Sequence, residues 1–250
     1  MLRLVFRSIT LPKFGNSENE NEDNILIPSK KELECDYISR FAISDGATES
    51  SFSKEWSDLL VCAYKDKLFD KEHLIETINS VSESWQTYIN TKELPWYAQQ
   101  KAEVGAFATF LGLTIYRDKY NFDVMAIGDC SLFQIRNNKS IFSFPISSSK
   151  DFNNSPNLLA TNLKYQPDLK KVVRYDIGNL LSKDIIVIAT DALAAWIFKE
   201  IEVNNKPWNL LNSILSNKNY YANFNKWLKK RRTEREIKND DVTLIIINFE

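Results

Sequence analysis

The residues of this chain best placed to do chemistry are acids at the ends of apolar runs. Phe41-Ala42-Ile43 runs into Asp45-Gly46, DVMAIGD ends in Gly128-Asp129, and DIIVIATD ends in Asp191. NDDVTLIIINF reverses the order, with Asp240 ahead of the run. A strand that stops in an acid leaves a carboxylate at a sheet edge, and a glycine beside it lets backbone approach closely. A single Asp-Gly after a strand is ordinarily a turn. Four such ends recur here, and two of the chain's six glycines, Gly46 and Gly128, stand beside them. That recurrence favours metal binding over the plainer reading, in which the acids cap turns and pair with surface lysines.

A carboxylate cluster offers only oxygen donors, which suit Mg2+, Mn2+ or Ca2+ and are poor for zinc or copper. Crowded carboxylates raise one another's pKa, and divalent ions relieve the repulsion. Two ions about 3.5–4 Å apart, bridged by one carboxylate and one water, are machinery for phosphoester hydrolysis. The only histidine, His73, is expected on the exposed side of a helix start, which removes most zinc sites and Ser-His-Asp or Cys-His hydrolysis. Cys35, Cys62 and Cys130 are too widely spaced for a disulfide framework, and a reducing cytoplasm is the simplest setting.

Composition sets the remaining bounds. With 250 residues, 44% hydrophobic and 26% charged, the chain is expected to form one globular domain over 1–250. A net charge of -1 gives no global pull toward nucleic acid or membrane. No apolar run approaches the ~20 residues of a membrane span. The opening MLRLVFRSITLPKFG reads as a first strand and not as a secretion signal.

The elements must bring the acids together. Antiparallel pairing of Ile25–Ile27 with Arg40–Asp45 would place Glu22 and Asp23 on the same edge as Asp45. Pairing of 184–191 with 240–249 would place Asp191 beside Asp240. Apolar stripes predict helices over Phe52–Tyr64, capped by Ser50 or Ser51, and over Lys71–Asn90. Further helices are predicted over Ala192–Ile201, Trp208–Leu215 and Tyr220–Lys230. Residues 30–36 read as a polar connection, and 91–101 as a turn with Trp96 and Tyr97 as aromatic anchor. Strands are expected over 105–116, 120–128, 131–136, 140–144 and 171–177, with a Ser/Asn/Pro loop over 145–157. Runs apolar at every position, such as 185–189 and 244–247, need cover on both faces. An α+β fold follows: a four-layer α-β-β-α sandwich, two antiparallel sheets flanked by helices.

Five short motifs occur in order: NED at 21–23, SDGA at 44–47, GDCS at 128–131, ATDALAAW at 189–196 and DDVT at 240–243. In these the sequence resembles the metal-dependent protein phosphatases (PPM, type 2C serine/threonine phosphatases), and their bacterial branch most of all. The resemblance implies a β-sandwich flanked by helices that hydrolyses phosphoserine or phosphothreonine with a water bridging two Mn2+ or Mg2+ ions, and no phosphoenzyme. It implies that Asp45 bridges both ions, the Gly46 carbonyl binds one, and Asp191 and Asp240 hold the second. Glu22 would act on the first ion through water with Asp23 beside it. Asp129 would hold a third, weaker ion together with Asp191. A phosphoprotein or phosphopeptide substrate and a cognate Ser/Thr kinase are the implied partners.

The chain also departs from the family pattern. Glu18 stands where many members carry a phosphate-clamping arginine, and Ala47 where many carry a histidine proposed as general acid. Ala192 and Cys130 replace a usual glycine and serine. Loss of a general acid should slow poor leaving groups more than aryl phosphates. Within KKRRTER, Arg231, Arg232 and Arg235 are candidate substrate-binding residues that could replace the arginine; the plainer reading is a solvated helix end. A nucleic-acid role for that run is disfavoured by its shortness and the acids that follow. Cys130 is either redox-sensitive or simply small and partly buried. The departures keep a second reading open: a degenerate phosphatase serving as a phosphopeptide-binding or scaffold module.

Overall fold

The computed structural model describes residues 2–48, 50–66, 69, 72–152 and 156–250, with only the backbone of Tyr97. The first half forms β1 (Leu4–Leu11), β2 (Asn24–Leu26), α1 (Lys30–Cys35), β3 (Ile38–Ser44), α2 (Ser53–Lys65), α3 (Leu74–Asn90), α4 (Trp96–Val104), β4 (Phe107–Ala108) and β5 (Phe110–Tyr116). Next come β6 (Asn121–Ile127), β7 (Ser131–Arg136), β8 (Lys139–Phe144), β9 (Leu159–Ala160), α5 (Leu169–Val172) and β10 (Arg174–Asn179). The last stretch holds β11 (Ile185–Ala189), α6 (Asp191–Glu202), α7 (Pro207–Leu215), α8 (Tyr220–Thr233) and β12 (Val242–Phe249).

Two five-stranded antiparallel sheets result, ordered β1-β12-β11-β7-β8 and β10-β6-β5-β3-β2, with β4 and β9 as a small pair. The period-2 alternation of β11 and β12 explains the layering. Ile186, Ile188, Ile245 and Ile247 point between the sheets, where they meet Phe41, Leu113 and Val124. Val187, Ala189, Leu244 and Ile246 point outward against α6, α7 and α8 through Trp196, Leu211 and Phe224. On the far side, Trp56, Leu60, Ile78 and Trp85 of α2 and α3 cover the outer face of the second sheet. Both faces of the central strands are thus dry, as strands apolar at every position require, while the edge strands β8 and β10 stay partly exposed. This is the expected α-β-β-α sandwich.

Both pairings expected from the acid positions are present. Asn24 lies opposite Ser44, and Ala189 opposite Leu244, each antiparallel. The two pairs lie in different sheets, so the acids face one another across the sandwich seam.

Local readings needed correction. Residues 30–35 are helical, because Ser29 and Glu32 form a reciprocal capping box. Neither Ser50 nor Ser51 caps α2. Phe52 holds the N-cap position with a positive φ of 64°, and the Ser50 hydroxyl donates instead to the Ala47 carbonyl. Residues 96–104 form α4, and Trp96 is exposed and not buried as a core anchor. The long strand over 105–116 breaks at Thr109, whose N–H leaves the ladder to donate to the Asp45 carbonyl. Residues 171–172 belong to α5, and the strand begins at Arg174. The predicted start of α3 at Lys71, the Tyr97 anchor and residues 153–155 of the loop lie outside the described residues.

Candidate metal centre

Each acid reaches the site from the end of a rigid element. Asp45 follows β3 and is locked to Thr109: its carbonyl accepts the Thr109 N–H at 2.8 Å, and its own N–H donates to Thr109 Oγ1 at 3.3 Å. Gly46 must be glycine, since a Cβ there would lie 2.9 Å from Ser53 Cβ and 3.0 Å from the Glu22 carbonyl oxygen. Gly128, with φ of +97°, turns the chain out of β6 so that Asp129 precedes β7. Asp191 is the first residue of α6, and Asp240 stands just before β12. Asp45, Gly46, Asp129, Asp191 and Asp240 line one cavity of about 590 Å3.

Glu22 and Asp23 sit beside that cavity. Glu22 accepts a hydrogen bond from the Ser53 hydroxyl at 2.5 Å and lies 3.7 Å from Lys13 Nζ. Asp23 is buried at the seam, where its Oδ2 accepts from Thr243 Oγ1 at 2.7 Å and Thr190 Oγ1 at 3.1 Å. Thr243 lies in β12 and Thr190 directly follows β11, so this carboxylate ties the β2 edge of one sheet to the centre of the other.

The electrostatics are those of a crowded acidic site. Burial, then the charges of Asp23, Asp191, Asp240 and Asp129, push the Asp45 carboxyl well above the ordinary range. Burial chiefly raises Asp23, and burial with the Asp240 charge raises Asp191. Asp129 is pushed up to about 7, again by burial and then by Asp191. Lys238 opposes this: its Nζ lies 2.7 Å from Asp240 and 3.9 Å from Asp191.

The donor set fits a hard cation. It is all oxygen, it is short of positive charge, and Asp23 Oδ1 is buried with no hydrogen-bond partner. Among the described residues no three acid, histidine or cysteine side chains converge closely enough to enclose an ion. The carboxylates are held by other partners: Asp191 by its own Ala192 N–H, Asp240 by Lys238, and Asp23 by the two threonines.

The sequence matches no protein-family model and no curated protein. Solved structures do match over the whole chain. One is the catalytic domain of the serine threonine protein phosphatase PstP in complex with two manganese ions, at a TM-score of 0.62 and 11% identity, covering 100% of this chain and 99% of that one. Another is RsbX in complex with magnesium, at 0.54 and 18%, covering 100% of both chains. A third is the serine/threonine phosphatase of S. agalactiae, at 0.58 and 12%, covering 99% of this chain and 100% of that one. The chain has the PPM phosphatase fold.

Within this PPM fold the two expected replacements are not equivalent. Glu18, at the position of the family arginine, is exposed and accepts a hydrogen bond from the Tyr221 hydroxyl at 2.7 Å. Ala47 lines the cavity. The three candidate arginines do not line it. Arg231 pairs with Glu236 and with Glu234 at 3.3 Å. Arg232 is partly buried and donates to the carbonyls of Pro12 and Asp240. Arg235 is exposed, at a positive φ of 60°. Helix α8 runs to Thr233, so most of this run belongs to a helix end whose charges serve the fold.

Cys130 is fully buried with its thiol 3.0 Å from Thr109 Oγ1, and burial raises it well above the thiol range, which disfavours the reactive thiolate. Sequence reasoning missed Lys13, Lys199 and Lys238, the three lysines that line the cavity. The only trace of Lys238 in the sequence is its place two residues before Asp240. Lys13 lies far from every motif and carries no signal.

Proposed function

We propose that this chain is a metal-dependent phosphoserine/phosphothreonine protein phosphatase. The observation that carries the reading is the gathering of Asp45, Asp129, Asp191 and Asp240, from four separate element ends, around one cavity in a PPM fold. Asp45, the Gly46 carbonyl, Asp191 and Asp240 would hold two Mn2+ or Mg2+ ions, with Glu22 reaching the first through water. Asp129 with Asp191 would hold a third. When bound, such ions supply a more acidic water and positive charge opposite the phosphate oxygens. The protein's own part is to fix the carboxylates on strand ends, so that little rearrangement accompanies reaction. Gly46 keeps side-chain bulk out of the wall, and Thr190 and Thr243 hold Asp23 behind it. No general acid stands at Ala47, so an aryl phosphate should react faster than a serine phosphate.

The substrate is then a phosphoprotein made by a Ser/Thr kinase, met in the cytoplasm; no described helix is long and apolar enough to cross a membrane. The test is phosphate release from p-nitrophenyl phosphate with Mn2+, with Asp45→Asn and Asp191→Asn as controls. Loss of activity in EDTA and in both variants is expected, and undiminished activity in EDTA overturns the reading.

Glu18 and Ala47 favour one alternative, a degenerate member that binds phosphopeptides without turning them over. Tight phosphopeptide binding with no turnover at saturating Mn2+ would select it.

A further inference from the structure

We infer that Lys13 is the cation that grips the substrate phosphate, in place of the arginine absent at Glu18; this rests on the phosphatase reading above. Among the three cavity lysines, Lys238 is already committed to Asp240 and Asp191. Lys199 is exposed on α6, a residue type and setting with little geometric constraint. Lys13 differs in being held. Its side chain is 20% exposed, and its Nζ lies 3.3 Å from Thr48 Oγ1 and 3.7 Å from Glu22 Oε2. It therefore stands in the cavity wall shared with Asp45 and Gly46.

The loop that presents it is stitched to the segment before β12. Asp241 accepts the Lys13 N–H on one oxygen and the Glu22 N–H on the other, both at 2.7 Å. Asn239 accepts the Phe14 N–H at 2.7 Å and donates back to the Phe14 carbonyl at 3.2 Å. Arg232 donates to Pro12 and to Asp240. Three consecutive residues are thus pinned to the chain that carries Asp240. A primary ammonium on such a pinned backbone retains its flexible stem but a fixed root, which suits a phosphate entering beside Asp45. Arg232 then acts as a positioning residue for Lys13 and not as a substrate contact.

The experiment uses the Mn2+-loaded full chain with two readouts: inorganic phosphate binding by calorimetry, and kinetics on p-nitrophenyl phosphate. Lys13→Ala should weaken phosphate and raise KM about tenfold each, as expected for a lost charge-assisted hydrogen bond, with kcat changed less than about threefold. Lys13→Arg should restore most of both. Unchanged phosphate affinity and KM in Lys13→Ala, absence of phosphate binding by the wild type, or a tenfold effect from Lys199→Ala instead, would each overturn the assignment. If the wild type binds phosphate through Lys13 yet turns nothing over, the assignment stands and the hydrolase reading falls.

Discussion

Asp45 and Asp184 show how two strand-end aspartates come to opposite fates. Asp184 is buried, and Arg136 grips both its oxygens at 2.7–2.8 Å while Gln134 and the Leu181 N–H complete the shell. These partners overcome its burial and hold its pKa below the ordinary value. Asp45 receives the reverse, four neighbouring carboxylates and a raised pKa. Arg136→Ala should therefore cost about 3 kcal/mol of stability by leaving a buried charge alone, measured by urea denaturation, while Mn2+-dependent activity persists. Asp45→Asn should do the opposite: activity lost, and a higher melting temperature in EDTA because one repelling charge has gone.

At the scale of elements, the close approach of the β3 end to α2 matters most. Gly46→Ala would force its methyl onto Ser53 Cβ and backbone. A loss of roughly 1–3 kcal/mol is expected from such overpacking, with weakened Mn2+ binding in calorimetry because Ser53 also holds Glu22. This constraint was legible beforehand only as an Asp-Gly after an apolar run. The strand pairs and their acid ends were legible too, because antiparallel partners must start and stop together. Helix α1 was missed because its six residues carry no apolar stripe, and only the Ser29-Glu32 box marks it. The direction of the α8 arginines was not legible for a related reason. Charge composition names a cation but not the direction in which a helix end turns it, and Arg232 turns inward to backbone carbonyls.

The whole molecule bears the linkage between protons, ions and stability. In the metal-free protein Asp129 titrates at about 7 against an ordinary 3.8, so between those values the folded chain binds the proton that the unfolded chain has released. Its stabilisation is full below the unfolded pKa and is lost as pH rises through about 7; Asp45, Asp23 and Asp191 act in the same direction. Melting temperature in EDTA should thus fall as pH rises over this window. Added Mn2+ should raise it at neutral pH, and the increment should shrink on acidification as protons displace the ion. A flat profile in EDTA, read by calorimetry, would show that these carboxylates are not crowded in solution.

The pairing of Leu4 with Phe249 places the earliest strand of the sheet beside the latest, and β12 then wedges between β1 and β11. On a ribosome, β1 must therefore wait, unzipped, until Val242–Phe249 has been made before its neighbour exists. Asp240 travels with β12, so chains cut short of it would hold the earlier acids without the partner strand that gathers them. Closure of the centre must await β12, and tardy closure of this kind leaves nascent chains reliant on chaperones.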